Sequence, residues 1–272
     1  MFCLSYVAPA CWHGEFPTHI QYPMTRFPTS NDVPIALITG AAKRLGACTA
    51  RALHRLGYDI VIHHHTSTDD ALALAAELNA IRALSATTLG QDLAADDAGA
   101  NIIAACRARH QRLDVLVNNA SVFDRTALDS VDLAAWERIQ AINLRAPYFL
   151  SVHAAPLLRA THGSIINITD IHSERPRAGY SAYCASKAGL VAVTRGLALE
   201  LAPEVRVNAV APGPILWAAS EDAQLQAATL AGTPLARRGD PQDIAQAICY
   251  LVQAPFVTGH ILDVDGGRSL VL

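Results

Sequence analysis

The chain has 272 residues, of which 51% are apolar and 17% are charged, so it is long enough to bury one large core. Its formal net charge of −3 gives no electrostatic attraction for nucleic acid or for an anionic membrane. No apolar run approaches the roughly 20 residues that span a bilayer. We therefore expect a single α/β domain that acts on a small molecule, without a nucleic-acid or membrane partner.

The first 33 residues look unlike the remainder, because four prolines interrupt them and no periodicity emerges. The stretch Met1 to Trp12 lacks the Lys or Arg of a secretory signal. We expect an irregular extension or a mis-assigned start, and we favour a start at Met24 because a short polar lead separates it from the first strand. The six cysteines form no C-x-x-C pair, so we expect reduced thiols in a cytoplasmic protein.

Short apolar runs alternate with helical patterns along residues 34–272. Strands are predicted over residues 35–39, 58–65, 84–89, 113–117, 163–169, 205–210 and 261–264. Helices are predicted from about 46 to 57, from Asp69 or Asp70 to 80, up to 110, over 132–151 with a bend before Pro147, from 179 to 201 and over 241–252. Right-handed crossovers then give one domain with a doubly wound parallel sheet and helices on both faces. Residues 216–238 are predicted to be a flexible, alanine-rich substrate lid.

A glycine turn follows the first predicted strand, in the run Thr39-Gly40-Ala41-Ala42-Lys43-Arg44-Leu45-Gly46. A turn between a strand and a helix N-terminus presents backbone N–H groups to a pyrophosphate. Arg44 occupies the middle position of the common G-x-x-x-G-x-G spacing. The second strand is followed by no carboxylate before Asp69, where an NAD site usually has one for the ribose 2′-hydroxyl. We therefore expect Arg44 and Ser67 to hold a 2′-phosphate, which favours NADP(H).

Three consecutive histidines at the end of the second strand leave a metal site as an alternative. On a strand His64 points opposite to His63 and His65, so at most two of them share one ion. We expect no metal.

Tyr183 and Lys187 are spaced i and i+4 in a predicted helix and so share one face. An adjacent ammonium favours the phenolate, which makes this pair a candidate proton donor and acceptor near neutral pH. The chain has only two lysines, Lys43 and Lys187, against nineteen arginines, and both lie in candidate cofactor motifs. Asp170 ends the fifth predicted strand, where it either joins Tyr183 in proton transfer or only caps the turn that follows.

The ordered set of motifs resembles the short-chain dehydrogenase/reductase family over residues 34–272. The motifs are Thr39-Gly40-x-x-x-Arg44-x-Gly46, Asn118-Asn119-Ala120, Asn143 and Tyr183-x-x-x-Lys187. The resemblance implies a Rossmann-like, seven-stranded sheet and a homotetramer or homodimer. It also implies that Tyr183 donates a proton, that Lys187 lowers the pKa of Tyr183 and binds the nicotinamide ribose, and that Asn143 supports a water relay.

Asp170 stands where most members of that family carry Ser. Together with the glycine turn and the run Asn118-Asn119-Ala120-Ser121-Val122-Phe123, it makes the chain similar to the pteridine reductases, including the dihydromonapterin or dihydrofolate reductase branch. This resemblance implies that Asp170 works with Tyr183, that Ser121 and Phe123 contact the pterin, and that Arg44 holds cofactor phosphate. Thr66 replaces the basic residue that the group often has there.

We therefore expect NADPH-dependent reduction of a dihydropterin such as dihydromonapterin or dihydrobiopterin, or of dihydrofolate. A carboxylate at position 170 favours a C=N substrate, because it would repel the alkoxide that develops from a carbonyl. Two alternatives stay open, a short-chain reductase of another carbonyl and a non-catalytic NADP(H)-binding sensor.

The candidate site residues fall into three sets. The predicted catalytic residues are Asp170, Tyr183, Lys187 and Asn143. The predicted substrate-binding residues are Ser121, Phe123, Asp170, Tyr183, Leu216 and Trp217. The predicted cofactor-binding residues are Gly40, Lys43, Arg44, Leu45, Gly46, His65, Thr66, Ser67, Asp92, Leu93, Asn119, Ala120, Ser121, Tyr183, Lys187, Pro212, Gly213 and Ile215.

Overall fold

The structure of the protein, a computed structural model, describes residues 33–129, 131–217 and 222–272. Residues Val33–Leu272 form one compact unit. The expectations of an irregular extension and of a start at Met24 lie outside the described residues. No helix within the described ranges is long and apolar enough to cross a membrane.

Seven parallel strands form one sheet in the order 3-2-1-4-5-6-7. This confirms the predicted Rossmann-like, doubly wound architecture. Because the strand order reverses between the first and fourth strands, a crevice opens at their carboxyl ends, where such sheets bind ligands. The strands are β1 (Ile35–Ile38), β2 (Asp59–His64), β3 (Ala86–Gly90), β4 (Val115–Asn118), β5 (Ser164–Ile168), β6 (Arg206–Pro212) and β7 (Ile261–Val264).

Helices cover both faces of the sheet, and each face has its own apolar core. The side chains of β1 alternate between the cores, with Ala36 and Ile38 in one and Ile35 and Leu37 in the other. This burial fixes the register of the strands, and the register places their carboxyl ends at the crevice. The helices are α1 (Arg44–Arg55), α2 (Thr68–Ile81), α3 (Ala98–His110), α4 (Leu133–Gln140), α5 (Ala146–Thr161), α6 (Ser181–Glu200), α7 (Ala223–Ala231) and α8 (Pro241–Gln253).

Helix α2 begins one residue before the predicted start. Its N-cap is Ser67, and Asp69 and Asp70 lie in its first turn, so the predicted cap at one of these two carboxylates is wrong. Acidic residues in a first turn still stabilise a helix, because they face the positive end of its dipole.

The single helix predicted over residues 132–151 consists of α4, a π-helical turn over Ala141–Arg145 and α5, which continues to Thr161. The π-helical turn lies where the bend before Pro147 was predicted. Pro147 is the second residue of α5, in a first turn where its missing N–H costs little, so the helix passes through it.

The predicted lid contains regular structure. Helix α7 lies within residues 216–238, and the side chain of Asp222 caps it by accepting the N–H of Leu225 at 2.8 Å. Residues 218–221 of the predicted lid lie outside the described residues.

A line of buried polar side chains joins β4, β5 and α6 beneath the crevice. The amide of Asn118 donates to Asn167 Oδ1 at 2.8 Å, and Asn167 Nδ2 donates to Thr194 Oγ1 at 2.9 Å. Asn167 and Thr194 are fully buried, so neither side chain has water as a replacement partner.

We expect Asn167→Ala to lower the free energy of unfolding by about 2–3 kcal/mol, because it leaves the buried Asn118 and Thr194 groups without this partner. Urea denaturation followed by circular dichroism measures the change. The matched control is Asn101→Ala on the exposed face of α3, which should change stability by less than about 0.5 kcal/mol. Equal losses in the two variants would contradict a role for the buried line.

Candidate active site

The hydroxyl of Thr39 holds the two sides of the crevice together. It accepts the backbone N–H groups of Asn119 at 2.9 Å and of Ala120 at 3.0 Å. The side chain of Asn119 donates back to the Thr39 carbonyl at 2.8 Å. The predicted cofactor residue Asn119 therefore fixes the turn by its side chain. The clamping role of Thr39 was missed, because a Thr at a strand end is ordinary in sequence.

The glycine turn packs closely on itself at the start of α1. Gly40 has a φ of +61°, and a Cβ on Gly46 would lie 2.3 Å from the Gly40 carbonyl oxygen. The N-terminus of α1 has no side-chain cap and no acidic residue in its first turn. Its N–H groups and helix dipole therefore suit an anion such as a dinucleotide pyrophosphate.

Arg44 takes up a backbone conformation that favours glycine, with a φ of +53°. This explains why related glycine turns have glycine at the position. Its exposed side chain lines the larger of two cavities described below, and it is absent from the wall of the smaller cavity that contains Ser67. The predicted joint contact of Arg44 and Ser67 with a 2′-phosphate therefore stays a prediction, and the cavity walls separate the two residues.

His63 joins the ends of three strands through its ring. Its Nδ1 accepts the Gly40 N–H at 3.2 Å, so Nδ1 carries no proton and Nε2–H donates to the Gln91 carbonyl at 3.0 Å. Burial lowers the pKa of His63 to about 4, which keeps the ring neutral. Among the described residues no group of three or more His, Cys, Asp or Glu is placed to hold a metal ion.

The smaller cavity, of about 290 Å³, lies at the carboxyl ends of β1, β2 and β3. Half of the predicted cofactor residues line it: Gly40, Lys43, His65, Thr66, Ser67, Asp92, Leu93, Ala120 and Ser121. Asp92 Oδ1 accepts the N–H of Ala94 at 2.9 Å, so its carboxylate also fixes the turn that follows β3. Ala42, His63, His64, Val122, Arg138 and Ile142 complete the wall and were not predicted.

The larger cavity, of about 780 Å³, begins where the smaller one ends, because Ser121 lines both. All six predicted substrate residues line it: Ser121, Phe123, Asp170, Tyr183, Leu216 and Trp217. Gly213 and Arg44 lie in the same wall. Leu225 and Thr229 of the predicted lid also line it, whereas sequence reasoning missed His172, Glu174, Arg175, Pro176, Arg177 and Arg268, among others. The run from residue 172 to 177 follows a strand end directly, which is the signal that could have found it.

Several predicted cofactor residues lie outside both cavity walls. Ile215 belongs to the apolar core that contains Ala36 and Ile38, and Leu45 packs against that core. Pro212 is the last residue of β6 and pairs with Val264. Gly46 lies against the Gly40 carbonyl, as described above. A cofactor contact was predicted for these residues because their neighbours along the chain belong to the cofactor motifs.

Two of the predicted catalytic residues, Tyr183 and Asp170, lie in the wall of the larger cavity. The Tyr183 hydroxyl donates to Asp170 Oδ2 at 2.7 Å, and the His172 N–H donates to Asp170 Oδ1 at 2.8 Å. Asp170 therefore both caps the turn and contacts the phenol, so the two readings of this residue are compatible. Burial and then the charge of Asp170 raise the pKa of Tyr183 well above its usual value, which keeps the phenol protonated.

Lys187 lies behind Tyr183 and is fully buried. Its Nζ donates to the Ile168 carbonyl at 2.8 Å and lies 5.7 Å from the centre of the Tyr183 ring. Burial lowers the pKa of Lys187 to about 8. The expected lowering of the Tyr183 pKa is therefore not what the structure shows, because the carboxylate of Asp170 contacts the phenol directly and the ammonium does not.

Asn143 lies in the π-helical turn and is fully buried. Its Oδ1 accepts the Val122 N–H at 2.9 Å and the Ser121 hydroxyl at 3.1 Å, and its Nδ2 donates to Ser186 Oγ at 3.2 Å. The extra residue of a π-helical turn often occurs at functional sites. Here the Asn143 side chain joins α6 to the loop after β4. The expected water relay through Asn143 stays a prediction.

Aromatic rings form one side of the larger cavity. Phe123 stacks on Tyr180 with ring centres 4.5 Å apart and meets Tyr183 edge to face at 4.7 Å. The guanidinium of Arg177 lies 4.8 Å from the centre of the Tyr180 ring. Phe123, expected to cover a flat substrate, therefore has one face already covered by Tyr180.

A buried Tyr–Lys pair beside a dinucleotide-type crevice defines a nicotinamide-dependent oxidoreductase. The sequence profile of the family described as "Enoyl-(Acyl carrier protein) reductase" matches residues 40–269. The chain therefore belongs to the short-chain dehydrogenase/reductase family.

Relatives of different specificity match the chain almost end to end. Pteridine reductase 1 of Leishmania tarentolae is 35% identical, with 89% of this chain and 98% of that protein covered. The 3-oxoacyl-[acyl-carrier-protein] reductase of Synechocystis sp. is 34% identical, with 89% and 99% covered. Cis-4-hydroxycyclohexanecarboxylate dehydrogenase of Sinomonas cyclohexanicum is 37% identical, with 87% and 97% covered. These similarities show an oxidoreductase without selecting one substrate class.

We expect Arg44→Gly to raise the free energy of unfolding by about 0.5–1 kcal/mol, because glycine adopts the left-handed conformation without strain. The same change should weaken nicotinamide dinucleotide binding by roughly tenfold, since it removes a cation beside the pyrophosphate-binding turn. Urea denaturation and isothermal titration calorimetry measure the two effects.

The matched control is Gln111→Gly at the end of α3, where φ is also +53°. It should stabilise the protein similarly and leave dinucleotide affinity unchanged. Unchanged affinity in Arg44→Gly would remove Arg44 from the binding site.

Proposed function

We propose that the protein is an NADPH-dependent pteridine reductase that acts on a dihydropterin or on dihydrofolate. The hydrogen bond from Tyr183 to Asp170 in the wall of the larger cavity carries this proposal. A similarity of 35% to a pteridine reductase over 89% of the chain supports it.

The proton chemistry suits a C=N bond. A bound reduced nicotinamide supplies a hydride to the carbon of such a bond. Tyr183 is held as a neutral hydroxyl whose proton points to Asp170, and that proton can pass to the substrate nitrogen once the hydroxyl turns from the carboxylate to the substrate. A carbonyl substrate develops negative charge on oxygen instead, and the carboxylate of Asp170 opposes that charge.

The shape of the cavity suits a flat heterocycle with polar edges. Phe123 offers an aromatic face beside the catalytic phenol, and Ser121 stands at the junction of the two cavities. Because Tyr180 already covers one face of Phe123, a pterin ring would stack on the opposite face or displace Tyr180.

The residues present fit a dinucleotide with a 2′-phosphate. Lys43 and Ser67 line the smaller cavity just after the ends of β1 and β2, and the chain positions 65–67 offer no carboxylate to hold a free 2′-hydroxyl. The glycine turn and the uncapped start of α1 would hold the pyrophosphate. These features support NADPH as the cofactor.

An apolar surface on α5 supports assembly into a homotetramer or homodimer. Tyr148, Phe149 and Val152 are 38–43% exposed there, which is unusual for large apolar side chains on one helix. We propose that this helix packs against a second copy of the chain.

Reduction of a 3-oxoacyl group is the second candidate. The Synechocystis relative, at 34% identity over 89% of the chain, supports it to nearly the same degree as the pteridine reductase supports the first. Asp170 distinguishes the two, because a ketone reaction gains nothing from this carboxylate.

Tyr183→Phe should lower kcat by roughly 100-fold or more and leave the Kd for NADPH within about twofold, because only the proton is lost. Steady-state NADPH oxidation and calorimetric titration give the two numbers. Tyr180→Phe is the matched control, since it removes a hydroxyl from the neighbouring stacked ring, and it should preserve kcat. Parallel losses of kcat and affinity in Tyr183→Phe would argue against proton donation.

Asp170→Ser should reduce kcat/KM for dihydrobiopterin, dihydromonapterin and dihydrofolate by roughly 100-fold and leave turnover of a ketone panel unchanged or higher. Glu174→Gln is the control, because it removes a different carboxylate from the wall of the same cavity. NADPH oxidation by the unaltered protein comes first. Turnover confined to 3-oxoacyl thioesters or other ketones would refute the pteridine proposal and support the second candidate.

A further inference from the structure

The two basic residues of the glycine turn face different cavities. Arg44 lines the larger cavity, and Lys43 lines the smaller one together with Ser67. Of these two, only Lys43 therefore shares a wall with the loop that follows β2. That loop is where doubly wound sheets distinguish a ribose 2′-hydroxyl from a 2′-phosphate.

The ammonium of Lys43 has a partner on the next helix. Its Nζ lies 2.7 Å from Asp70 Oδ2, and Asp70 belongs to the first turn of α2. A lysine ammonium is a compact charge with three donors, so a carboxylate at this distance takes one of them and reduces the positive charge offered to the cavity.

We propose that Asp70 is a selectivity-determining residue that competes with the cofactor 2′-phosphate for Lys43. The carboxylate weakens binding of the phosphorylated dinucleotide and leaves binding of the unphosphorylated one unchanged. The protein thus holds NADP(H) less tightly than its Lys43 and Ser67 would allow. This inference rests on the proposed preference for NADPH, and it is independent of the pterin substrate.

The size of the effect follows from exposure. The side chains of Lys43 and Asp70 are 54% and 44% exposed, so water screens the pair and phosphate can displace the carboxylate at modest cost. Removing the carboxylate should tighten NADP⁺ binding by about two- to fivefold. A larger change would require a buried pair.

The chain offers a close control in Asp69. It precedes Asp70 in the same helical turn, is exposed, and forms no ion pair among the described residues. Asp69→Asn and Asp70→Asn therefore make the same change in net charge and in helix-dipole interaction. Only Asp70→Asn frees Lys43.

The experiment is calorimetric titration of NADP⁺ and NAD⁺ into the full chain and into Asp70→Asn, Asp69→Asn, Lys43→Gln and the Lys43→Gln/Asp70→Asn double variant. Thermal unfolding of each variant confirms that it is folded. We expect Asp70→Asn to lower the Kd for NADP⁺ about two- to fivefold without changing that for NAD⁺. Asp69→Asn should leave the ratio of the two Kd values unchanged. The Asp70→Asn effect should vanish in the Lys43→Gln background.

Three results would overturn the inference: equal tightening in Asp69→Asn and Asp70→Asn, equal tightening for NAD⁺ and NADP⁺, or an Asp70→Asn effect that persists without Lys43. Each result would mean that the change in dinucleotide affinity comes from the overall charge of the protein and not from the Lys43–Asp70 pair. Because no pterin is present in the titration, failure of the pteridine proposal shows only in the turnover assays. A protein that prefers NAD⁺ would refute the NADPH part of the proposed function, and the Lys43-dependent change in NADP⁺ affinity would still decide the role of Asp70.

Discussion

The site depends on the hydrogen bonds of one hydroxyl at the point where the strand order reverses. β1 and β4 are neighbours, but the chain leaves them towards opposite faces of the sheet, so their ends tend to separate. Thr39 binds the two N–H groups that follow β4, and Asn119 binds back to the end of β1. A crevice of fixed width results. The glycine turn can then present N–H groups to a ligand without first having to be ordered.

Burial decides the protonation states on either side of this crevice. It keeps His63 neutral, because both ring nitrogens have backbone partners and a cation would lose its hydration. It also lowers the pKa of Lys187 to about 8 and, with the charge of Asp170, raises that of Tyr183. The two members of the familiar Tyr–Lys pair are thus shifted in opposite directions, towards a neutral phenol and a readily deprotonated amine.

The sequence was sufficient for the sheet and for bringing the six predicted substrate residues to one cavity wall, because each depends on local pattern. Buried strands are short apolar runs, and the loops at their carboxyl ends must meet at one edge, so Ser121, Phe123 and Asp170 could be placed together. The sequence did not predict the directions in which neighbouring side chains point. Adjacent residues such as Lys43 and Arg44 face different cavities because Arg44 has a positive φ. The π-helical turn at Asn143 leaves no mark on apolar spacing.

The carboxylate at position 170 has a consequence for which reactions the site can perform. Its two oxygens are occupied by the His172 N–H and the Tyr183 hydroxyl, so its position is fixed and it cannot turn away from a developing negative charge. Under the proposed function, a ketone substrate would develop that charge on the oxygen next to Tyr183, where the carboxylate 2.7 Å from the phenol oxygen opposes it. An imine-type nitrogen is more basic than a carbonyl oxygen, so it can gain its proton before the hydride arrives, and a neighbouring carboxylate stabilises the cation that results. The proposed preference for a C=N substrate therefore rests on the same carboxylate that holds Tyr183.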